Sequence, residues 1–167
     1  MSNESAHQLI IKADDLVGHP EKQRPFHEEL EVTLRVVDST VDGPLVVSGV
    51  TRGTVDGVQA SFDVSAEVTM RCARCLIEWT ESMDVAGSQH FSKVPDDDGY
   101  GIVNGTIDVG SPSVDEFALA LKAAPVHDPA CLGLCPTCGA NLNDDPCDGH
   151  PEESDSPFAA LGDLFDS

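Results

Sequence analysis

The chain has 167 residues, 40% of them apolar and only 5% aromatic, a composition that supports one folded domain with a mainly aliphatic core and argues against global disorder. Nine Lys and Arg residues face thirty Asp and Glu residues, for a net charge of -21. Nucleic-acid affinity comes largely from clustered cations that displace counterions, so this balance predicts weak or indirect binding to RNA or DNA. It favours a basic protein partner, with solubility or adaptation to salt as the alternative meaning of the charge.

Membrane insertion and secretion are also disfavoured by the sequence. No run of 18 or more apolar residues occurs, and the first residues lack a basic, apolar leader, so we expect a cytoplasmic protein without a membrane partner. In a reducing cytoplasm, six cysteines indicate metal binding or redox chemistry rather than disulfides.

The first half of the chain alternates apolar and polar residues, which predicts an antiparallel sheet. One strand covers residues 30–36, another covers 62–70, and Asp56-Gly57 before the second is a strong two-residue hairpin signal. If Val55 pairs with Val58, Gly49 faces Val64 and the apolar residues of both strands share one face.

The alternation continues to Cys72, turns through the letters CARC, and resumes from Ile77, so Cys72 and Cys75 are expected at the tip of a hairpin. Further on, residues 94–101 read as an acidic surface loop, and a helix is predicted with Ser113 as its cap and Glu116 completing a capping box. A short final helix is predicted, with Ser156 as its cap and Pro157 as its first residue.

These elements predict an α+β fold, with an antiparallel β-sheet or partly closed barrel, a C-terminal helix and a zinc-knuckle region. We divide the chain into residues 1–110, a β domain that carries the first CxxC knuckle, and residues 111–167, which hold the helix, the second knuckle and an acidic tail. Zinc is expected to join them into one structural unit.

The central motif is a pair of CxxC turns, RCARCL and LCPTCG, which together offer four thiolates for a tetrahedral zinc ion. Closing the long loop between them costs about 3–4 kcal/mol plus a constant, whereas zinc contributes roughly 10–16 kcal/mol in small Cys-rich sites. The predicted ligands are Cys72, Cys75, Cys135 and Cys138.

Three further residues are alternative ligands: Cys131, Cys147 and His150. A purely local site of Cys131, Cys135, Cys138 and Cys147 is sterically possible. The remaining histidines are scattered, without a pairing that suggests a metal: His7, His19, His27, His90 and His127. Thiol–disulfide exchange is the competing use of CxxC, although that chemistry favours a helix N-terminus in a βαβ setting, which the pattern does not offer.

Two arginines, Arg71 and Arg74, flank the first knuckle. Since a zinc ion with four thiolates carries a formal charge of -2, they are read first as neutralising that charge and second as a phosphate contact. Trp79 is interpreted as a core residue rather than a base-stacking platform. No nucleophile elbow, Walker loop or HExxH motif occurs, so we do not expect an enzyme.

The letters RCARCL, followed at a distance by GLCPTCGANLN, resemble the YceD family, which is named for large ribosomal RNA subunit accumulation. The preceding IDVGSPSVDEFALALKAAP resembles the strand and helix that precede the second knuckle in that family. The resemblance implies a role in 23S rRNA accumulation and maps the family's CxxC pattern onto Cys72, Cys75, Cys135 and Cys138. The chain departs from the family in two places, with CDGH where many members have a CxC-like element and DSP where DPR is typical.

We therefore predict a non-enzymatic, zinc-binding accessory factor for 23S rRNA accumulation and large-subunit biogenesis. It would act mainly through contacts with a basic ribosomal protein or an rRNA-processing factor. The alternatives are a zinc-dependent protein–protein adaptor in transcription or stress regulation, and a CxxC thiol redox protein.

Overall fold

A computed structural model describes residues 7–94, 100–144, 147, 149 and 150. In chain order its elements are β1 (Ile10–Lys12), β2 (Gln23–Val36), β3 (Ser39–Gly53), β4 (Gly57–Arg71), β5 (Glu78–Ser92), β6 (Thr106–Asp108) and α1 (Gly110–Ala120). The described part of the chain is therefore mostly strand, with one short helix.

The main sheet has the order β2-β3-β4-β5, and each neighbouring pair of strands is antiparallel. A second, two-stranded antiparallel sheet joins β1 to β6. The predicted antiparallel sheet is confirmed. The order of the described strands leaves β2 and β5 at the two edges of the main sheet, so it does not supply the closure that a barrel needs.

One face of the main sheet forms the core, because apolar side chains alternate with polar ones along its strands. The core-facing residues include Leu30 and Val32 of β2, and every second residue of β4 from Val58 to Met70. Val114 and Phe117 of α1 pack into the same cluster. The division of the chain at residue 110 stays a prediction.

The β3–β4 hairpin has a different register from the predicted one. Gly53 pairs with Val58 and Gly49 pairs with Phe62, so the turn is centred on Val55 and Asp56 instead of Asp56 and Gly57. The turn closes early because the amide of Thr54 donates to the carbonyl of Gly57 at 2.9 Å. The difference is two positions, so the same set of side chains stays on the core face.

Gly57 is needed for a reason other than the turn. A Cβ atom on Gly57 would lie 2.0 Å from the carbonyl oxygen of Phe91 on β5, so the close approach of the two strands excludes a side chain. The glycine that reads as a turn signal is therefore already part of β4.

The β4–β5 hairpin confirms the sequence pattern. Its pairing runs from Gly57 with Ser92 to Arg71 with Glu78, which leaves residues 72–77 as the connection. Cys72 and Cys75 thus lie at the tip of the hairpin, as predicted.

The helix begins earlier than predicted. It covers Gly110–Ala120, so Ser113 lies inside it and is not its cap. The carboxylate of Asp108 accepts hydrogen bonds from the amide of Gly110 at 3.0 Å and the hydroxyl of Ser111 at 2.7 Å, which starts the helix upstream. The buried hydroxyl of Ser113 donates instead to the carbonyl of Val109 at 2.8 Å.

No described helix is long and apolar enough to cross a membrane. Cytoplasmic location stays a prediction. The predicted final helix from Ser156, and the concentrated acidic residues Asp96, Asp97 and Asp98, lie outside the described residues.

Candidate metal centres

The first CxxC turn is shaped by two backbone hydrogen bonds. The amide of Cys72 donates to the carbonyl of Ile77 at 2.8 Å, and the amide of Leu76 donates to the carbonyl of Cys72 at 2.9 Å. Leu76, which follows the second cysteine, has a φ of 63°, a left-handed conformation that is uncommon for a residue with a side chain. This turn brings the thiols of Cys72 and Cys75 together.

The second CxxC turn repeats the same pattern. The amide of Cys135 donates to the carbonyl of Ala140 at 2.8 Å, and the amide of Gly139 donates to the carbonyl of Cys135 at 2.9 Å. Gly139 follows the second cysteine, Cys138, and has a φ of 73°. Glycine adopts this conformation without steric cost, so only the first turn carries the strain.

The first group of candidate ligands, which we name the inner cluster, consists of Cys72, Cys75, His127 and Cys131, whose donor atoms all lie within 4.8 Å of one another. The Sγ atoms of Cys72 and Cys131 are 3.9 Å apart, and the Sγ atom of Cys75 is 3.5 Å from Nδ1 of His127. Around a tetrahedral zinc ion, sulfur ligands stand about 3.8 Å apart, and sulfur and nitrogen about 3.5 Å apart. The inner cluster fits such an ion.

Backbone contacts hold the loop of His127 and Cys131 against the hairpin tip. The amide of Ala73 donates to the carbonyl of Pro125 at 2.8 Å, and the amide of Leu134 donates to the carbonyl of Arg74 at 3.0 Å. Trp79 lies beside the cluster, with its ring centroid 6.2 Å from that of His127. The inner cluster therefore joins two distant parts of the chain.

The second group, which we name the outer cluster, consists of Cys135, Cys138, Cys147 and His150, again within 4.8 Å of one another. The Sγ atoms of Cys138 and Cys147 are 3.8 Å apart, close to the spacing around zinc. The Sγ atom of Cys147 lies 3.0 Å from Nε2 of His150, less than the about 3.5 Å expected around zinc, so this pair would open slightly to admit the ion.

In the inner cluster, ionisation of one thiol makes ionisation of its neighbours less favourable. Burial disfavours the thiolate of Cys72, but hydrogen bonds with the side chain and backbone of His127 outweigh it and lower the pKa of Cys72 to about 5. The amide of Ile77 favours the thiolate of Cys75, yet burial and the neighbouring thiols of Cys131 and Cys72 raise its pKa. A divalent cation would remove this conflict, because it attracts every thiolate at once.

The outer cluster shows the same opposition. The amides of Cys138 and Thr137 lower the pKa of Cys135 to about 6. The amide of Gly149 favours the thiolate of Cys147, but burial and the thiols of Cys138 and Cys135 raise its pKa. Each cluster therefore has the donor chemistry that suits a soft or borderline divalent metal.

The predicted four-cysteine set is not brought together in the described structure. Cys72 and Cys75 lie in the inner cluster, whereas Cys135 and Cys138 lie in the outer cluster. Each CxxC pair lies beside a Cys and a His from further along the chain, and these supply the third and fourth donors of its cluster. The alternative ligands Cys131, Cys147 and His150 all belong to a cluster, although Cys131 is separated from the other cysteines of the predicted local site. Which residues bind a metal stays a prediction.

His127 is the candidate ligand that the sequence reading missed. Its signal was the spacing to Cys131, three intervening residues, which matches the short spacings of zinc ligands. The same reading pairs Cys147 with His150. Along the chain, each CxxC turn is thus followed by a Cys and His pair that completes its own cluster.

The two arginines beside the first turn are engaged in the protein. Arg71 forms an ion pair with Asp38 at 2.6 Å, and the guanidinium of Arg74 donates to the carbonyl of Cys131 at 3.1 Å. These contacts support a structural role for both arginines rather than a phosphate contact.

With four donors in each cluster, a bound metal would have no open coordination position. Closed tetrahedral sites of this kind are typical of structural metals, whereas catalytic zinc keeps a position for water or substrate. The arrangement can join chain segments that would otherwise separate.

Comparison with known proteins identifies the family. The profile described as "Large ribosomal RNA subunit accumulation protein YceD" matches residues 60–165. An uncharacterised protein of Mycobacterium tuberculosis is 34% identical over 110 residues, which cover 61% of this chain and 52% of the relative. One from Mycobacterium leprae is 33% identical over 119 residues, covering 66% and 54%.

A plant relative has an informative name. The chloroplastic "Large ribosomal RNA subunit accumulation protein YCED homolog 1" of Arabidopsis thaliana is 40% identical over 58 residues, 35% of this chain and 18% of the relative. The chain spans about half the length of the mycobacterial relatives it matches. No solved structure matches it significantly. Because the family profile extends over more than half of the chain and includes both clusters, the chain belongs to the YceD family of large ribosomal RNA subunit accumulation proteins.

Proposed function

We propose that the protein is a non-enzymatic, zinc-binding accessory factor that supports accumulation of 23S rRNA during biogenesis of the large ribosomal subunit. The observation that carries this proposal is the family match over residues 60–165, a span that contains every residue of both clusters.

Zinc is the proposed metal because three thiols and one imidazole per cluster are donors that it binds in closed tetrahedral sites. Cys72, Cys75, His127 and Cys131 would hold one ion, and Cys135, Cys138, Cys147 and His150 would hold another. The bound metal would supply attraction between chain segments and neutralise thiolates, without taking part in a reaction. The residues then act as a scaffold that fixes the knuckle region against the sheet.

The proposed mode of action is contact with a basic protein. Asp63 and Glu67 of β4 and Asp84 of β5 are exposed on the side of the main sheet opposite the core, and Asp84 pairs with Ser65, which lies between the two β4 acids. We name these three residues the acidic face. None of them forms an ion pair with another described residue. Such a face attracts a partner rich in Lys or Arg.

Direct binding to rRNA is disfavoured, because several of the few basic side chains already form ion pairs within the protein. Of nine Lys and Arg residues, Arg24 pairs with Asp15, Arg71 pairs with Asp38, and Lys122 lies 3.8 Å from Glu81. Fewer cations are left to displace counterions from a phosphate backbone.

Co-sedimentation with large-subunit precursors at two salt concentrations tests the proposal. The protein should travel with the precursors at low salt and be released at high salt, because the Debye length falls from about 10 Å at 0.1 M to about 3 Å at 1 M. Neutralising two residues of the acidic face, with Glu67→Gln and Asp84→Asn, should weaken the association. The control is Glu21→Gln with Glu28→Gln, which removes the same charge elsewhere. No association with precursors at either salt concentration would contradict the proposal.

A further inference from the structure

The two clusters differ in how far their ligands are shielded from water. In the inner cluster the thiols of Cys72, Cys75 and Cys131 are all buried, and only His127 is exposed. In the outer cluster only Cys135 is buried, while its other three ligands reach the surface or lie partly exposed. A competing ligand from solution therefore has easier access to the outer cluster.

The clusters also differ in the structure that must open to release a metal. The inner ligands come from the β4–β5 hairpin tip and from a loop about fifty positions later, and backbone hydrogen bonds from Ala73 and Leu134 tie the two together. The guanidinium of Arg74 adds a bond to the carbonyl of Cys131. The outer ligands lie within residues 135–150, so this cluster can open without moving the sheet.

A supporting contact outside the ligands favours the inner cluster as well. The side-chain amide of Asn143 donates to the Sγ atom of Cys131 at 3.5 Å, and its oxygen accepts from the amide of Leu132 at 2.8 Å. Such bonds orient a ligand and stabilise a thiolate. Asn143 lies in the chain between Cys138 and Cys147, yet its side-chain amide contacts a sulfur of the inner cluster as well as its neighbour Asn141.

The spacing of the donor atoms also indicates that the inner cluster is better prepared to hold a metal than the outer cluster. In the inner cluster the separations of 3.9 Å between the sulfurs of Cys72 and Cys131, and 3.5 Å between the sulfur of Cys75 and the nitrogen of His127, already fit a tetrahedral ion. In the outer cluster the 3.0 Å separation of Cys147 and His150 is too short and must widen. The inner cluster is therefore better preorganised for metal.

We propose that the chain carries two zinc ions of unequal lability, a permanent structural ion in the inner cluster and an exchangeable ion in the outer cluster. This inference rests on the zinc identity in the proposed function. The outer cluster can then take up or yield zinc while the sheet and the inner cluster stay folded. The ligands that become accessible on release are Cys138, Cys147 and His150.

The test is the rate of zinc transfer from the purified, zinc-loaded protein to a chromophoric chelator, 4-(2-pyridylazo)resorcinol, under reducing conditions. Release should occur in two phases of equal amplitude, with the first on the order of tenfold or more faster. Cys147→Ser should remove the fast phase and leave the slow one. Cys131→Ser should remove the slow phase and leave the fast one.

Amide hydrogen exchange on the wild type supplies a readout that depends on no variant. After the fast phase, the amides of Ala73 and Leu134 should remain protected, and they should lose protection only with the slow phase. Release in one phase, uptake of a single zinc ion per chain, or loss of the slow phase in Cys147→Ser would overturn the proposal. Because this experiment uses no ribosomal material, its failure leaves the ribosomal role to the co-sedimentation test.

Discussion

The Nδ1 atom of His127 lies 3.5 Å from the Sγ atom of Cys75, although 52 positions separate the two residues in the chain. This contact joins the tip of the β4–β5 hairpin to the loop that precedes the second CxxC turn. A metal held there would close a long loop, and the free energy of closure would be recovered from metal binding. His127 should therefore matter as much as the cysteines.

Replacing His127 with Ala should lower the zinc content of the purified protein and its melting temperature together. In a chain of this size, each kcal/mol lost shifts the melting temperature by about 2–4 °C. The measurements are elemental analysis and thermal unfolding. His27→Ala is the matched control, since His27 is exposed on β2 and belongs to neither cluster. Equal zinc content in both variants would exclude His127 as a ligand.

The residue after each CxxC motif has a left-handed backbone, and glycine should stabilise that position whereas leucine should destabilise it. Leu76 has a φ of 63° and is 54% exposed, so Leu76→Gly relieves strain of roughly 1–2 kcal/mol against a glycine entropy cost of about 0.5–1 kcal/mol. We expect the free energy of unfolding, measured in urea, to stay unchanged or rise by up to about 1.5 kcal/mol.

Gly139→Leu is the reciprocal change. A Cβ atom on Gly139 would meet nothing within 4 Å, so the first side-chain atom has room, and the cost that we expect is that of the backbone conformation, with a φ of 73°. We expect the second turn to be destabilised by roughly 1–2 kcal/mol, seen as faster zinc release. A destabilised Leu76→Gly protein together with an unaffected Gly139→Leu protein would mean that the turns are not equivalent.

Tyr100 should titrate at unusually high pH. Burial and the hydrogen bond from its hydroxyl to Asp115 at 2.7 Å raise the pKa of Tyr100 to about 12. The folded state thus favours the neutral phenol, and the stability that this contributes is present below about pH 10 and is lost as the pH rises toward 12.

Tyr100 is the single tyrosine of the chain, so ultraviolet absorbance follows its ionisation directly, with Tyr100→Phe as the blank. Asp115→Asn should lower the midpoint, because the nearby carboxylate no longer opposes the phenolate. A midpoint near pH 10 in the folded wild type would show that Tyr100 is not held as described.

Bare fragments of 23S rRNA should bind weakly, with a shallow dependence on salt, because few cations can release counterions. Replacing Arg71 and Arg74 with Ala should chiefly lower thermal stability, since both side chains make contacts within the protein. Filter binding across a salt series and thermal unfolding are the two measurements. Tight binding to naked RNA at physiological salt, lost in the double variant, would contradict the protein-contact mechanism.

Local pattern predicted much of the sheet. The alternation from Phe62 through Met70 to Cys72, resuming after Cys75, determines the β4–β5 hairpin because one face must be buried along its whole length. The β3–β4 register was missed by two positions, since Gly57 is required by the approach of Phe91 and not by the turn. Because Phe91 belongs to β5, its approach to Gly57 cannot be predicted from the sequence around the turn.

The sequence predicted the two CxxC turns as metal ligands but not how they are divided between two clusters. Two CxxC turns of equal form suggested one ion between them, because four thiolates satisfy one tetrahedron. The structure instead completes each turn with a downstream Cys and His pair, and His127 reaches Cys75 only through the packing of residues 125–134 on the hairpin tip. The short spacing of His127 to Cys131 is a local signal of a metal ligand, but only the packing shows that both residues complete the first CxxC turn.

The ratio of 23S to 16S rRNA in cells depleted of this protein tests the central claim most directly. We predict that depletion lowers the ratio, that the wild-type chain restores it, and that a chain with Cys72→Ser and Cys131→Ser, which opens the inner cluster, does not. Immunoblotting of each variant checks that the protein persists. An unchanged 23S to 16S ratio after full depletion would contradict the proposed role.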